Sequence, residues 1–295
     1  MWFFIYLLVG FFTGIITGMV SVGGGIIIAG ILIFFSGLFH LQLDMKHIAM
    51  TTSFYSLCST MSGTVYYWAQ KMVVKRIVLF FGIPALIASL TSSTFANYVH
   101  DDILKGIFAF FSLLAAIAAV LPEKSKNTNQ SSERFLYGLA VFSSVTIGIV
   151  GGMIGVAAGF LYMPIFMRYF KLPVREAVGT GLVVGGMLAA GTIIGKLGGG
   201  YFLPGIVLPL IFGGISGVLI GGKLTSIINA SKLKAFISVV IFCVSIQMIY
   251  TFLSGVIGLS IYTIGAFAVV ILLGFWSWKL FYKPKKVNNG RFKQA

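Results

Sequence analysis

The sequence predicts an all-α integral membrane protein made of two inverted repeats, each a glycine-broken helical hairpin plus three spans, with one extra C-terminal helix. Three observations lead there. First, 58% of the 295 residues are apolar and 9% charged, with a mean hydropathy of +1.03; soluble domains carry about 25% charge. Second, several apolar runs exceed the roughly 18 residues that mark a membrane helix, and they are continuous rather than alternating, which favours helices over a β-barrel. Third, the chain repeats itself. GIITGMVSVGGG (14–25) returns as GIVGGMIGVAAG (148–159), a shift of 134. LDMKHIAMTT (43–52) returns as LPVREAVGTG (172–181), a shift of 129, so the second copy has a shorter loop. Broken apolar segments at matching places in two halves point to a secondary transporter with its site between the repeats.

The first apolar segment runs from Trp2 to Phe35. As one straight helix it would be ~50 Å long, against a bilayer core of ~30 Å. Gly23-Gly24-Gly25 interrupts it, so two short helices meeting in a bent hairpin are expected. Phe135–Phe170 has the same problem of length and the same kind of interruption, at Ala157-Ala158-Gly159. The remaining spans are read at 47–69, 77–98, 103–121, 176–196, 203–222, 232–254 and 260–281. The divisions are then a first repeat (1–121), a polar cytoplasmic linker (122–134), a second repeat (135–254), and the extra helix with its basic tail (255–295). MWFFIYLLVG lacks a basic leader and a cleavage pattern, and reads as a retained first helix.

Charge sets the sidedness. There are 21 Lys and Arg against 6 Asp and Glu, a net +15. The basic residues sit in short loops and the tail, where they act as orientation signals rather than as a nucleic-acid surface. Lys279, Lys283, Lys285, Lys286, Arg291 and Lys293 place the C-terminus in the cytoplasm. Counting back through the spans puts Lys71, Lys75, Arg76, Arg168, Lys171, Arg175 and Lys223 inside, and Asp44, Lys46, Asp101, Asp102 and the N-terminus outside. The loop after the first hairpin then lies outside and its copy inside, which makes the repeats inverted.

Functional candidates follow from the breaks. Three consecutive small residues end a helix, and the amides freed at the start of the next half-helix need a partner that lipid does not offer. Such N-termini suit an anion. Gly23, Gly24, Gly25, Ala157, Ala158 and Gly159 are therefore candidate substrate-binding residues, with Ser21 adding a hydroxyl. Thr51-Thr52-Ser53 and the matching Gly179-Thr180-Gly181 stand one turn into their helices. Their hydroxyls could bind an oxyanion or bond their own helix backbone; both readings are open. His47 and Glu176 occupy matching repeat positions and are the candidate proton carriers. Lys46, Lys71, Arg175 and Lys196 fall at span ends, where long side chains reach water. The columns Gly10/Gly14/Gly18, Gly151/Gly155/Gly159 and Gly213/Gly217/Gly221 let helix backbones approach closely.

Other signals are negative. Cys58 and Cys243 lie in apolar spans and suggest neither disulfide nor metal. Gly217-x4-Gly222-Lys223 imitates a phosphate loop, but Leu224 stands where a Ser or Thr is required. Catalysis, cofactors and nucleic acid are not expected; the bilayer and a small anion are.

At these residues the chain resembles the sulfite exporter TauE/SafE family, also called the toluene-sulfonate uptake permeases. The resemblance rests on 14–25, on GGMIGVAAGFLYMPIF (151–166) with Pro164, and on AVGTGLVVGG (177–186), in order and over nearly the full length. It implies a multi-pass carrier of the bacterial plasma membrane for small sulfur-containing anions such as sulfite, sulfonates or sulfoacetate. The chain departs from an even pattern: Gly30 stands where the second copy has Pro164, and Ala157-Ala158 replace a glycine pair. The competing readings are a non-transporting membrane scaffold, whose glycines only pack helices, and an anion channel.

Overall fold

The computed structural model describes residues 2–21, 24–39, 43–120 and 133–225. The spans expected at 232–254 and 260–281, the tail, most of the linker 122–134, Gly23, and the side chains of Pro164 and Arg168 lie outside that description. The helices are α1 (Trp2–Val20), α2 (Gly25–Phe39), α3 (Met45–Ala69), α4 (Lys75–Ala96), α5 (Asp101–Val120), α6 (Glu133–Ile154), α7 (Gly159–Arg168), α8 (Val174–Lys196) and α9 (Pro204–Thr225). Four of them, α1, α4, α8 (with the turn that follows it) and α9, are long and apolar enough to cross a membrane. A π-turn at Val78–Gly82 in α4 ends two residues before Pro84, whose missing amide disrupts the regular ladder.

Both expected interruptions are present. Chain 21–24 separates α1 from α2, and chain 155–158 separates α6 from α7. Phe35 of α2 comes back beside Trp2 and Tyr6, with ring centroids 6.4 Å apart in each pair, so the first segment is a hairpin. The pivots match at the repeat shift: Ser21 has φ +57° and Gly155 φ +79°. Glycine takes that left-handed conformation without strain, whereas serine does so at a cost of order 1–2 kcal/mol.

Packing is crossed between the two halves. Gly10, Gly14 and Gly18 of α1 lie on the backbone of Leu210, Gly214 and Val218 of α9, in that order, so the two helices run parallel. At the repeat-related positions, Gly148 and Gly152 of α6 lie on Ala85 and Ser89 of α4. Helix α4 also runs parallel to α8, where Gly191 and Gly195 meet Leu86 and Leu90. Helices α3 and α8 cross at the centre and run antiparallel, Gly63 against Leu182, Thr60 against Gly186 and Tyr67 against Gly179. Helices α1, α3 and α9 therefore point one way, and α4, α6 and α8 the other.

Polarity is inside out. Phe4, Leu8, Phe12, Ile87, Phe95, Phe142 and Phe212 face outward, while Thr13, Thr17, Thr52, Ser53, Ser89, Ser93 and Thr192 are buried. Lipid offers no hydrophobic drive between helices, so close backbone approach and interhelical hydrogen bonds hold the bundle. Tyr55 donates to the Gly10 carbonyl (3.2 Å) and Tyr67 to the Gly18 carbonyl (2.9 Å), both across helices.

Gly14→Ala and Gly148→Ala should each destabilise the fold by about 1–3 kcal/mol through overpacking, despite alanine's better helix propensity. Gly205, whose Cβ would meet open space, should tolerate alanine without loss. Thermal unfolding of the three variants in detergent checks this; equal melting temperatures would mean the glycine contacts carry no stability.

Candidate functional site

The site assembles where the two breaks meet the central helices. Gly155 ends α6 in the left-handed conformation, and its carbonyl leaves the helix ladder. Two side chains of α3 donate to it: the Thr52 hydroxyl at 2.8 Å and the Ser53 hydroxyl at 3.1 Å. Each also bonds its own helix, Thr52 to the Ile48 carbonyl and Ser53 to the Ala49 carbonyl. Of the two readings of these hydroxyls, the bond to their own helix backbone is present, joined by a bond across helices to the Gly155 carbonyl. Gly155 sits so close to Ala49 that any Cβ would collide with its backbone.

The first break is served differently. The Gly24 amide donates to Thr17 Oγ1 at 2.7 Å, which satisfies one amide at the start of α2. Gly25 packs against Ser56 and Thr52 of α3. Ser21 packs against Gly181 of α8, the repeat position of Thr52. Tyr162 of α7 donates to the Gly181 carbonyl at 2.8 Å and reaches toward Gly185, which also lies against Ala157. Each break therefore leans on the central helix of the other half.

Two buried hydroxyls in this region make no hydrogen bond of good geometry with a described residue: Ser21 Oγ (1% exposed), which lies near the Tyr162 hydroxyl, and Ser56 Oγ (0% exposed). A buried, unsatisfied hydroxyl costs roughly 1–3 kcal/mol. Their repeat counterparts are Gly155 and Gly185, so only the first half supplies hydroxyls here. The half-helices α2 and α7 begin beside them with first-turn amides that have no acceptor within their own helix. Ala158, at the N-terminus of α7, is left-handed (φ +44°) and caps nothing with its side chain. Among the described residues, the centre combines positive helix ends with neutral donors, a pattern suited to a small anion.

Not every sequence candidate converges here. Gly24, Gly25, Ser21, Thr52, Ser53, Ala157, Ala158 and Gly181 do. Thr180 faces away: its hydroxyl accepts the Val74 amide at 3.0 Å, tying α8 to the α3–α4 turn. Gly179 packs on Met72 in the same turn. Thr51 is buried on α3, one residue before the donors to Gly155. Gly159 is buried at the start of α7. His47 stands at the first turn of α3, with its ring 5.4 Å from that of Tyr201. Glu176 stands in the first turn of α8, beside the far end of α3. About 30 Å of helix separates the two, so they cannot share one proton.

Ser56, Tyr55 and Tyr162 escaped the motif reading. Thr52, Ser56 and Ser59, with Thr60 beside it, recur every three to four residues inside an apolar span. That hydroxyl stripe is the signal for Ser56. Tyr162 carries none, because its partner is a backbone carbonyl.

The family model for "Sulfite exporter TauE/SafE" matches residues 6–248. "Probable membrane transporter protein YdhB" of Bacillus subtilis (strain 168) is 28% identical over 238 residues, 78% of this chain and 94% of that protein. "Probable membrane transporter protein YunE" of the same strain is 24% identical over 84% of this chain and 97% of its own length. "Probable membrane transporter protein MJ0441" of Methanocaldococcus jannaschii is 26% identical over 65% of this chain and 71% of its own. No solved structure matches the chain. Long apolar helices, an inside-out core and a family match across most of the sequence lead to one conclusion: the chain is a multi-pass membrane protein that belongs to the sulfite exporter TauE/SafE family.

Proposed function

We propose that the chain is a secondary active transporter of small sulfur-containing anions, such as sulfite, sulfonates or sulfoacetate, working by alternating access across the plasma membrane. The observation that carries this reading is the pair of buried hydroxyls, Ser21 and Ser56, that lack a hydrogen bond of good geometry among the described residues where the two helix breaks meet. A scaffold has no use for buried donors left unsatisfied; a carrier fills them with substrate and empties them again. Neutral donors also release an anion more readily than a buried, unpaired cation would. Candidate ligands are Ser21, Ser56, Thr51, Thr52, Ser53 and the backbone around Gly23, Gly24, Gly25, Ala157, Ala158 and Gly159. Gly179 and Thr180 hold α8 against the α3–α4 turn and would act by positioning it. Proton coupling would run through His47 at one mouth and Glu176 at the other.

The transport cycle rests on the two halves being inverted repeats. Matching helices pointing opposite ways, α1 against α6, α3 against α8 and α4 against α9, support that reading. Rocking one set of parallel helices against the other would open the breaks to each side in turn. The charge count orients the bundle with the N-terminus outside and the C-terminus cytoplasmic.

Single cysteines at Asp102 and Lys71, both exposed, test the orientation in a background lacking Cys58 and Cys243. Asp102→Cys should react with an impermeant maleimide on intact cells, and Lys71→Cys only after permeabilisation. The reverse pattern would turn the protein over, and equal labelling would put both ends of α3 on one side.

Ser21→Ala and Ser56→Ala should each weaken anion binding by about tenfold to a hundredfold, the loss of one hydrogen bond to a charged ligand at roughly 1.5–3 kcal/mol. Thr180→Val should lower thermal stability and leave affinity nearly unchanged. Binding calorimetry with sulfite and a sulfonate panel, beside proteoliposome uptake, decides: wild-type affinity in both serine variants would remove the site from the breaks.

A further inference from the structure

A second polar cluster lies at the end of the molecule where α3 and α5 begin and α4 and α8 finish. Lys196, the last residue of α8, is 0% exposed, and its ammonium has no hydrogen-bond partner among the described residues. An ammonium carries three donors, and burying it unpaired is costly wherever it sits in the membrane. The chain around it is tied in place. Lys46 Nζ donates to the Asn97 carbonyl (2.7 Å), and the Asn97 side-chain amide donates to the Gly195 carbonyl (3.0 Å).

The anion that faces this cluster is part of the protein. Asp44 precedes α3 but makes no side-chain cap to it. Instead the Met45 amide donates to both carboxylate oxygens of Asp101, at 3.0 and 2.9 Å. Lys105 Nζ lies 3.7 Å from the same carboxylate. Asp101 and Lys46 are both within electrostatic range of Lys196. The Asp101 carboxylate thus meets a helix N-terminus with Lys46, Lys105 and Lys196 around it; Lys105 also pairs with Asp102 (3.2 Å), whereas the buried Lys196 ammonium has no bond among the described residues.

We propose that this end is a binding site for a small oxyanion, with Lys196 as its charged donor, and that the Asp101 carboxylate is the tethered anion that closes it in the conformation seen. A sulfate-sized ligand would take the Met45 amide and the Lys196 ammonium together and displace Asp101 toward Lys105 and water. The site is distinct from the helix breaks: Met45 precedes Thr52 by seven residues, about 10 Å along α3. It does not depend on the transport reading, since a scaffold could hold an anion there equally well. The same chemistry fits a free oxyanion or the phosphate of a lipid headgroup.

The test is calorimetric titration of sodium sulfate into the purified full-length protein in lipid-free detergent, at constant ionic strength. Asp101→Asn should tighten sulfate binding at least about tenfold, and Lys196→Met should weaken it by about a hundredfold. The Ser21→Ala/Ser56→Ala double variant should leave this binding unchanged, which separates the site from the one at the breaks. Thermal unfolding guards against misfolding. Without sulfate, Lys196→Met should melt no lower than wild type, because an unpaired buried charge is gone, and sulfate should raise the melting temperatures of wild type and Asp101→Asn but not that of Lys196→Met. If added phosphatidylglycerol abolishes the sulfate heat in wild type, the site stands and its natural ligand is a headgroup. Equal sulfate affinity in wild type and Lys196→Met, no gain in Asp101→Asn, or a lower melting temperature for Lys196→Met overturns the proposal.

Discussion

A helix interrupted within lipid leaves backbone groups that only other parts of the protein can satisfy, and the central architecture follows from how that demand is met. The Gly155 carbonyl is taken by Thr52 and Ser53, and the Gly24 amide by Thr17. In water those groups would bond solvent and the breaks would be loops of no consequence. In a bilayer each unsatisfied group costs several kcal/mol. Helix α3 must therefore carry hydroxyls at one fixed height, and it must lie against the break of the opposite half. Once that is fixed, α8 is drawn to the other break, and the central pair is set.

The glycine columns are the second consequence. To bring α3 and α8 onto the breaks, the outer helices must pack backbone to backbone, α1 on α9 and α6 on α4. Small residues permit the approach, and the bulky apolar side chains turn outward to lipid. A stripe that reads as generic membrane packing in the sequence is thus what sets the separation of the elements around the site.

Much of this was legible beforehand, and the limits have physical causes. The membrane class, both breaks and the starts and ends of the long helices α3, α8 and α9 follow from hydropathy and local chain chemistry, which one segment alone determines. The meeting of Thr52 with Gly155 does not, because two residues 103 apart come together only through the whole bundle. Thr180 illustrates the limit: its match to Thr51 was visible, but its engagement by the Val74 amide depends on how the α3–α4 turn folds over α8. Lys196 reads in the sequence as an interfacial residue with a side chain reaching water, since that is what a lysine at a span end usually does; its burial beside the end of α4 is a tertiary fact.

The crossed packing has a bearing on how the chain is made. Helix α1 is synthesised well before its partner α9, which lies about 200 residues later. At synthesis rates of about 5–20 residues per second, α1 waits roughly 10–40 s for the surface that its glycines fit. During that interval its buried Thr13 and Thr17 can only bond back to their own helix, and both do so, to the Val9 and Thr13 carbonyls. Those two threonines therefore make α1 a tolerable guest of lipid before it has a neighbour. The packing of α1 is complete only once α9, in the second half of the chain, has been made.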